Sequence, residues 1–346
     1  MRRLYLGLAA GIAILAFFGF AQQAPTGELY KVLKTVKAGG TGGFDYVNAD
    51  EAGRRLYVPR LGPGARISVF DLDTLDPIGE IPGVSAHGAV VSPKTGYGFA
   101  SSKPVAMFDT KTLAIIKTID VDGAPDGIMY DSFNDRVYVL SHRAPNATVI
   151  NAEDGSVLGT IDLGGAPEQA ASDGKGHMYV DIEDKAEIAV VDAKTLAVTG
   201  YYDISARGAV CAGLALDVKN NVLFASCRNP QNMVMLNASD GKILDALPIG
   251  AGTDGAGFNP NSMEAFSSQG DGTLTVIREN SPTTFAVEQN VTTMPGAKTM
   301  TLDPKTNHIL LIAAEFGPAS TAPRGGGRAG RGPMLPDSFS IVLVGK

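Results

Sequence analysis

Residues 131–151 read DSFNDRVYVLSHRAPNATVIN, and this stretch contains the unit from which the chain is built. Its turn residue, Asp131, is followed seven residues later by Tyr138 in a short apolar strand. A further apolar strand runs from Ala147 to Asn151. Short apolar runs bounded by Asp, Asn and Ser are typical of β-strands joined by tight turns. The stretch therefore predicts the central strands of an antiparallel sheet.

The same unit occurs seven times along the chain. In every copy seven residues separate the turn residue from the residue at the centre of the next strand. The seven pairs are Asp50 and Tyr57, Ser92 and Phe99, Asp131 and Tyr138, Ser172 and Tyr179, Asp217 and Phe224, Asn259 and Phe266, and Asp303 and Leu310. Successive strand centres lie 42, 39, 41, 45, 42 and 44 residues apart. This period is typical of the blades of a β-propeller.

Each unit continues with a third strand and then an Asp or Asn turn into a fourth, which predicts a four-stranded antiparallel blade. The seventh unit has its third strand at 339–344, and the missing fourth strand is available near the start of the sequence at 30–36. We therefore expect an all-β, seven-bladed β-propeller. Its N-terminal strand should close the ring by completing blade seven.

Three second strands contain a Tyr-Val pair, and Asp-x-x-Thr-Leu turns begin at Asp71, Asp109 and Asp192. In these features the units resemble those of the YVTN-repeat β-propellers, and especially the bacterial YncE-like proteins. The resemblance covers nearly the whole chain after the N-terminal segment, although the strict Tyr-Val-Thr-Asn string is absent. The resemblance implies an extracytoplasmic seven-bladed propeller, and it supplies no common catalytic motif.

The first 21 residues are typical of a secretory signal peptide. Arg2 and Arg3 precede an apolar run that ends at Phe20, and Gly19 and Ala21 are small residues suited to cleavage after Ala21. An uncleaved anchor helix is the alternative. Cleavage there predicts a single domain over 22–346, located in the periplasm or outside the cell and without a later membrane span. It also changes the net charge from −7 to −9. Such an acidic chain argues against non-specific nucleic-acid binding.

Two further features belong to individual blades. Cys211 and Cys227 flank a predicted hairpin in blade five, so a cross-strand disulfide is expected, with two buried thiols as the alternative. Blade seven contains a Gly, Arg and Pro-rich segment at 315–337, for which we expect a flexible loop. Its three arginines either engage an anionic partner or are simply solvated; they are Arg324, Arg328 and Arg331.

Ionisable residues recur five positions before the turn residue of most units, where sevenfold geometry should bring them to the mouth of the central channel. These channel-mouth residues are Asp45, His87, Asp126, Asp254 and Lys298, with Glu168 one position out of register and Ala212 in blade five. Carboxylates brought together favour a bound cation or a raised pKa. Because Lys298 cannot balance four carboxylates, we expect Ca²⁺ or Mg²⁺ at Asp45, Asp126, Glu168 and Asp254. The alternative is that each side chain caps its own connector.

Basic residues on loops of the same face predict a rim around this acidic centre. Besides the three arginines of the 315–337 segment, the rim comprises Arg60, Arg143 and Arg228, together with Lys103, His142, Lys185 and Tyr201. An acidic centre with a basic rim is suited to a zwitterionic or metal-bridged anionic ligand. The four histidines lie far apart in the sequence without an HxH or HExxH pairing, which argues against a zinc site.

These features predict a monomeric, non-catalytic binding or scaffold protein that presents this face to an unidentified small ligand or protein partner. The alternative is a metal-assisted lactonase or lyase with a divalent cation on the propeller axis. Its metal ligands or general base would be Asp45, His87, Asp126, Glu168 and Asp254. Adhesion at the cell surface is a third possibility, since a propeller fold does not by itself determine function.

Overall fold

The computed structural model describes residues 28–318 and 332–346, in which β-strands are the only regular elements. The strand β1 (Lys31–Lys37) comes first in the chain but belongs to the last blade. Blade one contains β2 (Asn48–Asp50), β3 (Arg55–Arg60), β4 (Arg66–Asp71) and β5 (Pro77–Pro82). Blade two contains β6 (Ala89–Ser92), β7 (Tyr97–Ala100), β8 (Val105–Asp109) and β9 (Ile115–Ile119). Blade three contains β10 (Ala124–Asp131), β11 (Arg136–Arg143), β12 (Asn146–Asn151) and β13 (Val157–Asp162).

The remaining blades follow the same order. Blade four contains β14 (Pro167–Ser172), β15 (His177–Ile182), β16 (Glu187–Asp192) and β17 (Ala197–Asp203). Blade five contains β18 (Ala209–Asp217), β19 (Val222–Asn229), β20 (Gln231–Asn237) and β21 (Ile243–Pro248). Blade six contains β22 (Thr253–Asn259), β23 (Glu264–Gln269), β24 (Thr273–Ser281) and β25 (Thr284–Thr292). Blade seven contains β26 (Thr299–Asp303), β27 (His308–Ala313) and β28 (Ser340–Gly345), with β1 as its outer strand.

The seven sheets each contain four antiparallel strands and together form a ring. The chain is a seven-bladed β-propeller. The expected closure is confirmed, because β1 pairs with β28 from Lys31 opposite Gly345 to Lys37 opposite Ser340. Pairing covers what would otherwise be an exposed strand edge in blade seven.

The core lies between blades, because each sheet buries its faces against its two neighbours. The seven strand centres identified in the sequence are at most 4% exposed. Tyr57 of blade one packs on Phe108 of blade two with ring centroids 5.7 Å apart, and Phe224 of blade five stacks on Phe258 of blade six at 5.2 Å. Each such aromatic side chain contributes about 2–3 kcal/mol through burial.

The Asp turns between third and fourth strands have the geometry that their sequence predicts. In blade one, Asp71 Oδ1 accepts hydrogen bonds from the backbone N–H groups of Asp73 and Thr74, at 2.9 and 2.8 Å. Leu75 then adopts the left-handed conformation with φ of 65°, and its N–H donates to the Asp71 carbonyl. The buried Leu75 side chain offsets the strain of this conformation.

The expected disulfide is present between Cys211 and Cys227, which are direct cross-strand partners on β18 and β19. The segment expected to be a flexible loop at 315–337 is ordered at its base: Phe316 and Met334 form an antiparallel bridge, and the Gly317 N–H donates to the Pro333 carbonyl at 2.8 Å. The middle of that segment and the predicted signal peptide lie outside the described residues. None of the residues described belongs to a helix capable of crossing a membrane.

Candidate functional site

Six channel-mouth side chains converge on one face of the propeller, which we call the top face. It carries the connectors that lead into the first strands and the loops between second and third strands. His87 Nδ1 lies 2.9 Å from Asp45 Oδ2 and 3.2 Å from Asp126 Oδ1, so it bridges blades one, two and three. Lys298 of blade seven contacts Asp254 of blade six and lies 3.5 Å from Asp45 Oδ1. These contacts join different blades, so the side chains do not simply cap their own connectors.

Three further ionisable side chains reach the same place from the ends of the second strands. His142 Nε2 lies 3.1 Å from Glu168 Oε1. Arg228 contacts Asp254 and lies 2.5 Å from Glu183 Oε1, so it fills the gap expected at Ala212 and links blade four to blade six. All three residues stand four positions after their strand centres, a register visible in the sequence. We call the nine residues the axial ring: Asp45, His87, Asp126, His142, Glu168, Glu183, Arg228, Asp254 and Lys298.

The axial ring has more cationic groups than the sequence argument counted. Lys298 is accompanied by Arg228 and by two imidazoles, His87 and His142. Asp254 is held by Lys298 and Arg228. Second-strand residues thus supply compensating charge that the sequence argument did not count, and the Ca²⁺ or Mg²⁺ expected at the four carboxylates stays a prediction.

Burial and neighbouring charges shift the pKa values in the half of the ring that carries the histidines. Burial raises the pKa of Asp126 to about 6, with Asp45 and Glu168 adding to the effect and His87 opposing it. The Glu168 carboxylate, 3.1 Å from Nε2, raises the pKa of His142 to about 9. The hydrogen bond to Asp45 raises the pKa of His87. For Asp45, burial is outweighed by His87 and Lys298, so its pKa is lowered.

Two potential metal-ligand atoms in this half of the ring are buried and lack a well-aligned hydrogen-bond partner. Within the described residues, Asp126 Oδ1 and His142 Nε2 form no hydrogen bond of acceptable geometry, although ionic partners lie 3.2 and 3.1 Å away. Two groups of possible metal ligands meet here: Asp45, His87 and Asp126, and Asp126, His142 and Glu168. In each group the ligand atoms lie within 4.8 Å of one another. Two histidines that are distant in sequence, His87 and His142, therefore each place a ring nitrogen within 4.8 Å of the Asp126 carboxylate.

Asp181 lies fully buried in blade four, two residues after the strand centre Tyr179. Neither of its carboxylate oxygens has a hydrogen-bond partner among the described residues. Burial, together with the negative charges of Glu168 and Glu183, raises its pKa far above the ordinary value. Burial therefore disfavours the charged form of this carboxyl group. Sequence reasoning missed it, because an Asp at a strand position carries no local signal of burial.

The channel is closed beneath the axial ring by Tyr46 and Gln169. The Tyr46 hydroxyl donates to Glu168 Oε2 at 3.1 Å, across a contact that spans 122 residues of sequence. Gln169 Oε1 accepts from the N–H groups of Leu214 and Ala256, both at 3.1 Å. Burial raises the pKa of Tyr46 well above its usual range, which keeps its donor proton in place.

Glycines make room for this closure. Each channel-mouth position is followed by the residue that faces the channel one level lower. In blades two and three these residues are Gly88 and Gly127, where an added Cβ would lie 3.4 and 3.5 Å from Tyr46. In blades five and six they are Gly213 and Gly255, and the residue after each donates its N–H to Gln169 Oε1. The glycines of blades two and three thus leave space beside Tyr46.

Below this closure the channel contains a cavity of about 500 Å³. It extends from Tyr46 and Gln169 down to the turn residues Glu51 and Pro93 on the opposite face. Its wall is formed by the first strands of the blades. Because the cavity carries few ionisable groups, the chemistry of the channel is concentrated in the axial ring above it.

The predicted rim is only partly present. Arg60 is 1% exposed, and its guanidinium carbon lies 3.6 Å from the centroid of the Phe339 ring. Burial lowers the pKa of Arg60 to about 10. Arg143 is exposed, whereas Arg228 belongs to the axial ring. Arg324, Arg328 and Arg331 lie outside the described residues. Arg60 is thus too buried to belong to an exposed rim, and the basic rim as a whole stays a prediction.

Comparisons with known proteins support the fold and do not extend to function. No protein-family profile matches the chain, and no curated protein sequence matches it. The structure is similar to a chain in the crystal structure of the mitotic checkpoint complex, with a TM-score of 0.70 and 12% identity. The match covers 87% of this chain and 95% of that chain. At this identity the likeness shows a shared propeller fold alone.

Proposed function

We propose that this chain is an extracytoplasmic YVTN-type propeller that binds a small, charged ligand at its axial ring without transforming it. The observation that carries the proposal is the convergence of nine ionisable side chains, from all seven blades, above a closed channel. Rigid scaffolds commonly present binding groups on such loops. The Cys211–Cys227 disulfide supports an oxidising compartment, in agreement with the signal-like N-terminal segment.

The alternation of charge around the ring favours a ligand that carries both signs. Asp254, for example, is flanked by Lys298 and Arg228, and Asp45 by Lys298 and His87. A ligand with one cationic and one anionic group can replace some of these ion pairs with its own, so that no buried charge is left unpaired. A protein partner is the other possible occupant of the top face.

Native mass spectrometry of the full chain, isolated without chelators from the cells that produce it, tests the proposal. The expected result is a bound mass that is lost in Glu168→Gln, which removes one ring charge and keeps the side-chain shape. The control is Asp173→Asn, which alters a comparable pair with His177 on the opposite face, where the contact is 2.8 Å. A wild-type protein without any adduct, or an adduct that survives in Glu168→Gln, would contradict the proposal.

A metal-assisted lactonase or lyase is the second candidate, and one observation favours it. Asp126 has a pKa of about 6 and lies beside His87, so it is suited to accept a proton near neutral pH. An assay of the hydrolysis of simple γ-lactones, in which proton release is measured with and without Mn²⁺, tests this candidate. Turnover that disappears in Asp126→Asn would replace the non-catalytic proposal.

A further inference from the structure

We infer that Asp126, His142 and Glu168 form a binding site for a first-row transition-metal ion such as Mn²⁺ or Zn²⁺. The inference rests on the proposed function, since it names the ion that one half of the axial ring would hold. It differs from the Ca²⁺ or Mg²⁺ site expected from the sequence, which also included Asp45 and Asp254 and left out His142. The three residues come from blades three and four, and they meet at the top of the channel.

The spacing of the ligand atoms matches a coordination shell. His142 Nε2 and Glu168 Oε1 are 3.1 Å apart, and the Asp126 ligand atom lies within 4.8 Å of both. An octahedral ion with metal–ligand distances of about 2.1 Å holds neighbouring ligand atoms about 3.0 Å apart. Small side-chain rotations are enough to bring all three atoms onto one ion.

Two of the proposed ligand atoms can each form a further bond. Within the described part of the chain, Asp126 Oδ1 and His142 Nε2 are enclosed and make no aligned hydrogen bond. Enclosed polar atoms in native proteins normally have a partner, which can be a protein group, a water molecule or an ion. This observation is independent of the clustering of charge, and it distinguishes these atoms from Asp254, whose oxygens are bonded to Arg228 and Lys298.

Groups behind the ligands fix their orientation. Tyr46 donates to Glu168 Oε2 at 3.1 Å and leaves Oε1 facing His142. On the other side, His87 lies 3.2 Å from Asp126 Oδ1 and is itself held by Asp45 at 2.9 Å. The Tyr46–Glu168 hydrogen bond is of the supporting kind typical of metal ligands, and the loss of such a bond usually weakens metal affinity about 10-fold to 100-fold.

The ligand types select the class of metal. Ca²⁺ and Mg²⁺ prefer shells made of oxygen atoms, whereas an imidazole nitrogen favours Zn²⁺, Fe²⁺ and Ni²⁺, and the two carboxylates also suit Mn²⁺. One imidazole with two carboxylates also leaves positions open for a ligand from solvent. A metal-bridged anion would then reach the ring from the top face, where the His142 side chain is 32% exposed.

Isothermal titration calorimetry of the full chain, stripped with EDTA and dialysed, tests the inference with Mn²⁺, Zn²⁺, Mg²⁺ and Ca²⁺. We expect Mn²⁺ or Zn²⁺ to bind at least about 100-fold more tightly than Mg²⁺ or Ca²⁺. His142→Ala should lose about 100-fold in affinity, and Tyr46→Phe about 10-fold. The control variant His177→Ala, from the His–Asp pair on the opposite face, should bind as the wild type does.

Absorption of the Co²⁺-loaded protein provides a second readout, because the visible bands of Co²⁺ depend on its ligands and should change in His142→Gln. Equal affinity for Ca²⁺ and Zn²⁺, or unchanged binding in a folded His142→Ala protein, would overturn the inference. If an organic adduct appears in native mass spectra while no transition metal binds, the inference fails and the proposed function stands. If metal binds but no organic adduct is ever found, the small-ligand proposal fails alone.

Discussion

The axial ring and the seam that closes the propeller are both networks of ionisable side chains, but they differ in how completely these side chains are paired. The seam is held by a closure latch, which we define as Tyr30, Glu264, Arg278, Glu288 and Lys346. Glu264 is fully buried; its Oε1 accepts from Arg278 at 2.7 Å and Lys346 at 2.8 Å, and its Oε2 accepts from the Tyr30 hydroxyl at 2.5 Å. Arg278 also contacts both oxygens of Glu288 at 3.0 Å.

The axial ring is less completely paired and more accessible. The His87 and His142 side chains are 39% and 32% exposed, and Asp126 keeps an enclosed oxygen without an aligned partner. A buried charge that is fully paired with other protein groups stabilises the fold. A buried charge that lacks one of its hydrogen-bond partners is available to a ligand. The difference indicates that the latch serves folding, and it supports the proposed role of the ring in ligand binding. The following predictions test this distinction.

Deletion of Lys31–Lys37 should produce the largest effect. Without β1, the outer edge of β28 loses its partner strand. The shortened chain can also no longer place Tyr30 in the hydrophobic cluster between blades six and seven. We expect loss of the monomer to aggregation, measured by light scattering and gel filtration. Leu33→Ala, which removes an exposed side chain and keeps the strand, is the control. A truncated monomer with an unchanged melting temperature would show that closure is dispensable.

Glu264→Gln should destabilise the protein by about 3 kcal/mol, because it leaves Arg278 and Lys346 with fewer partners at a buried site. Chemical denaturation measures the change. Glu80→Gln is the control: Glu80 pairs with Arg66 at 2.7 Å but is 54% exposed, so its loss should cost less than about 1 kcal/mol. Equal effects of the two substitutions would remove the distinction between latch and surface.

Glu279→Gln separates burial from pairing. Glu279 is buried, accepts one hydrogen bond from Asn220 at 2.7 Å, and keeps Oε2 unpaired among the described residues, near Asp217. Burial raises its pKa from 4.5 to about 7, so the folded chain retains a proton that the unfolded chain releases. Stability therefore falls as pH rises from about 4.5 to about 7, and the penalty persists above pH 7.

The glutamine amide keeps the shape and removes this penalty. At pH 8 we expect Glu279→Gln to be more stable than the wild type by about 2 kcal/mol, with the gain vanishing at pH 4.5. Denaturation curves at the two pH values measure it. A variant with the same advantage at both values would show that the titration of Glu279 is not the cause.

Asp126→Asn should have the smallest effect on stability, a gain of about 1 kcal/mol at pH 7.5. The raised pKa of Asp126 shows that its charged form is disfavoured in the folded protein, so the neutral amide relieves that cost. The same variant should lose its metal affinity. A destabilisation comparable to that of Glu264→Gln would place the axial ring with the latch as a structural network.

Much of this architecture was predictable from local sequence. The constant interval of seven residues between turn and strand centre fixes a hairpin in each unit, and seven such units require seven blades. The same register placed Asp45, His87 and Asp126 at equivalent positions, so their meeting at the channel mouth followed from symmetry. His142, Glu183 and Arg228 share a second register, four residues after the strand centres. Comparing that position across units would have revealed them.

The sequence by itself determined the strands, their faces, the number of blades and the pairing of Cys211 with Cys227, because each depends on residues that are near in the chain or repeat at a fixed period. Only the tertiary structure decided which side chains meet across the axis. Tyr46 reaches Glu168 over 122 residues, and Lys346 reaches Glu264 only after β1 closes the ring. Such contacts depend on the size of every neighbour around the channel, including the glycines that leave space, and local sequence carries no record of that space.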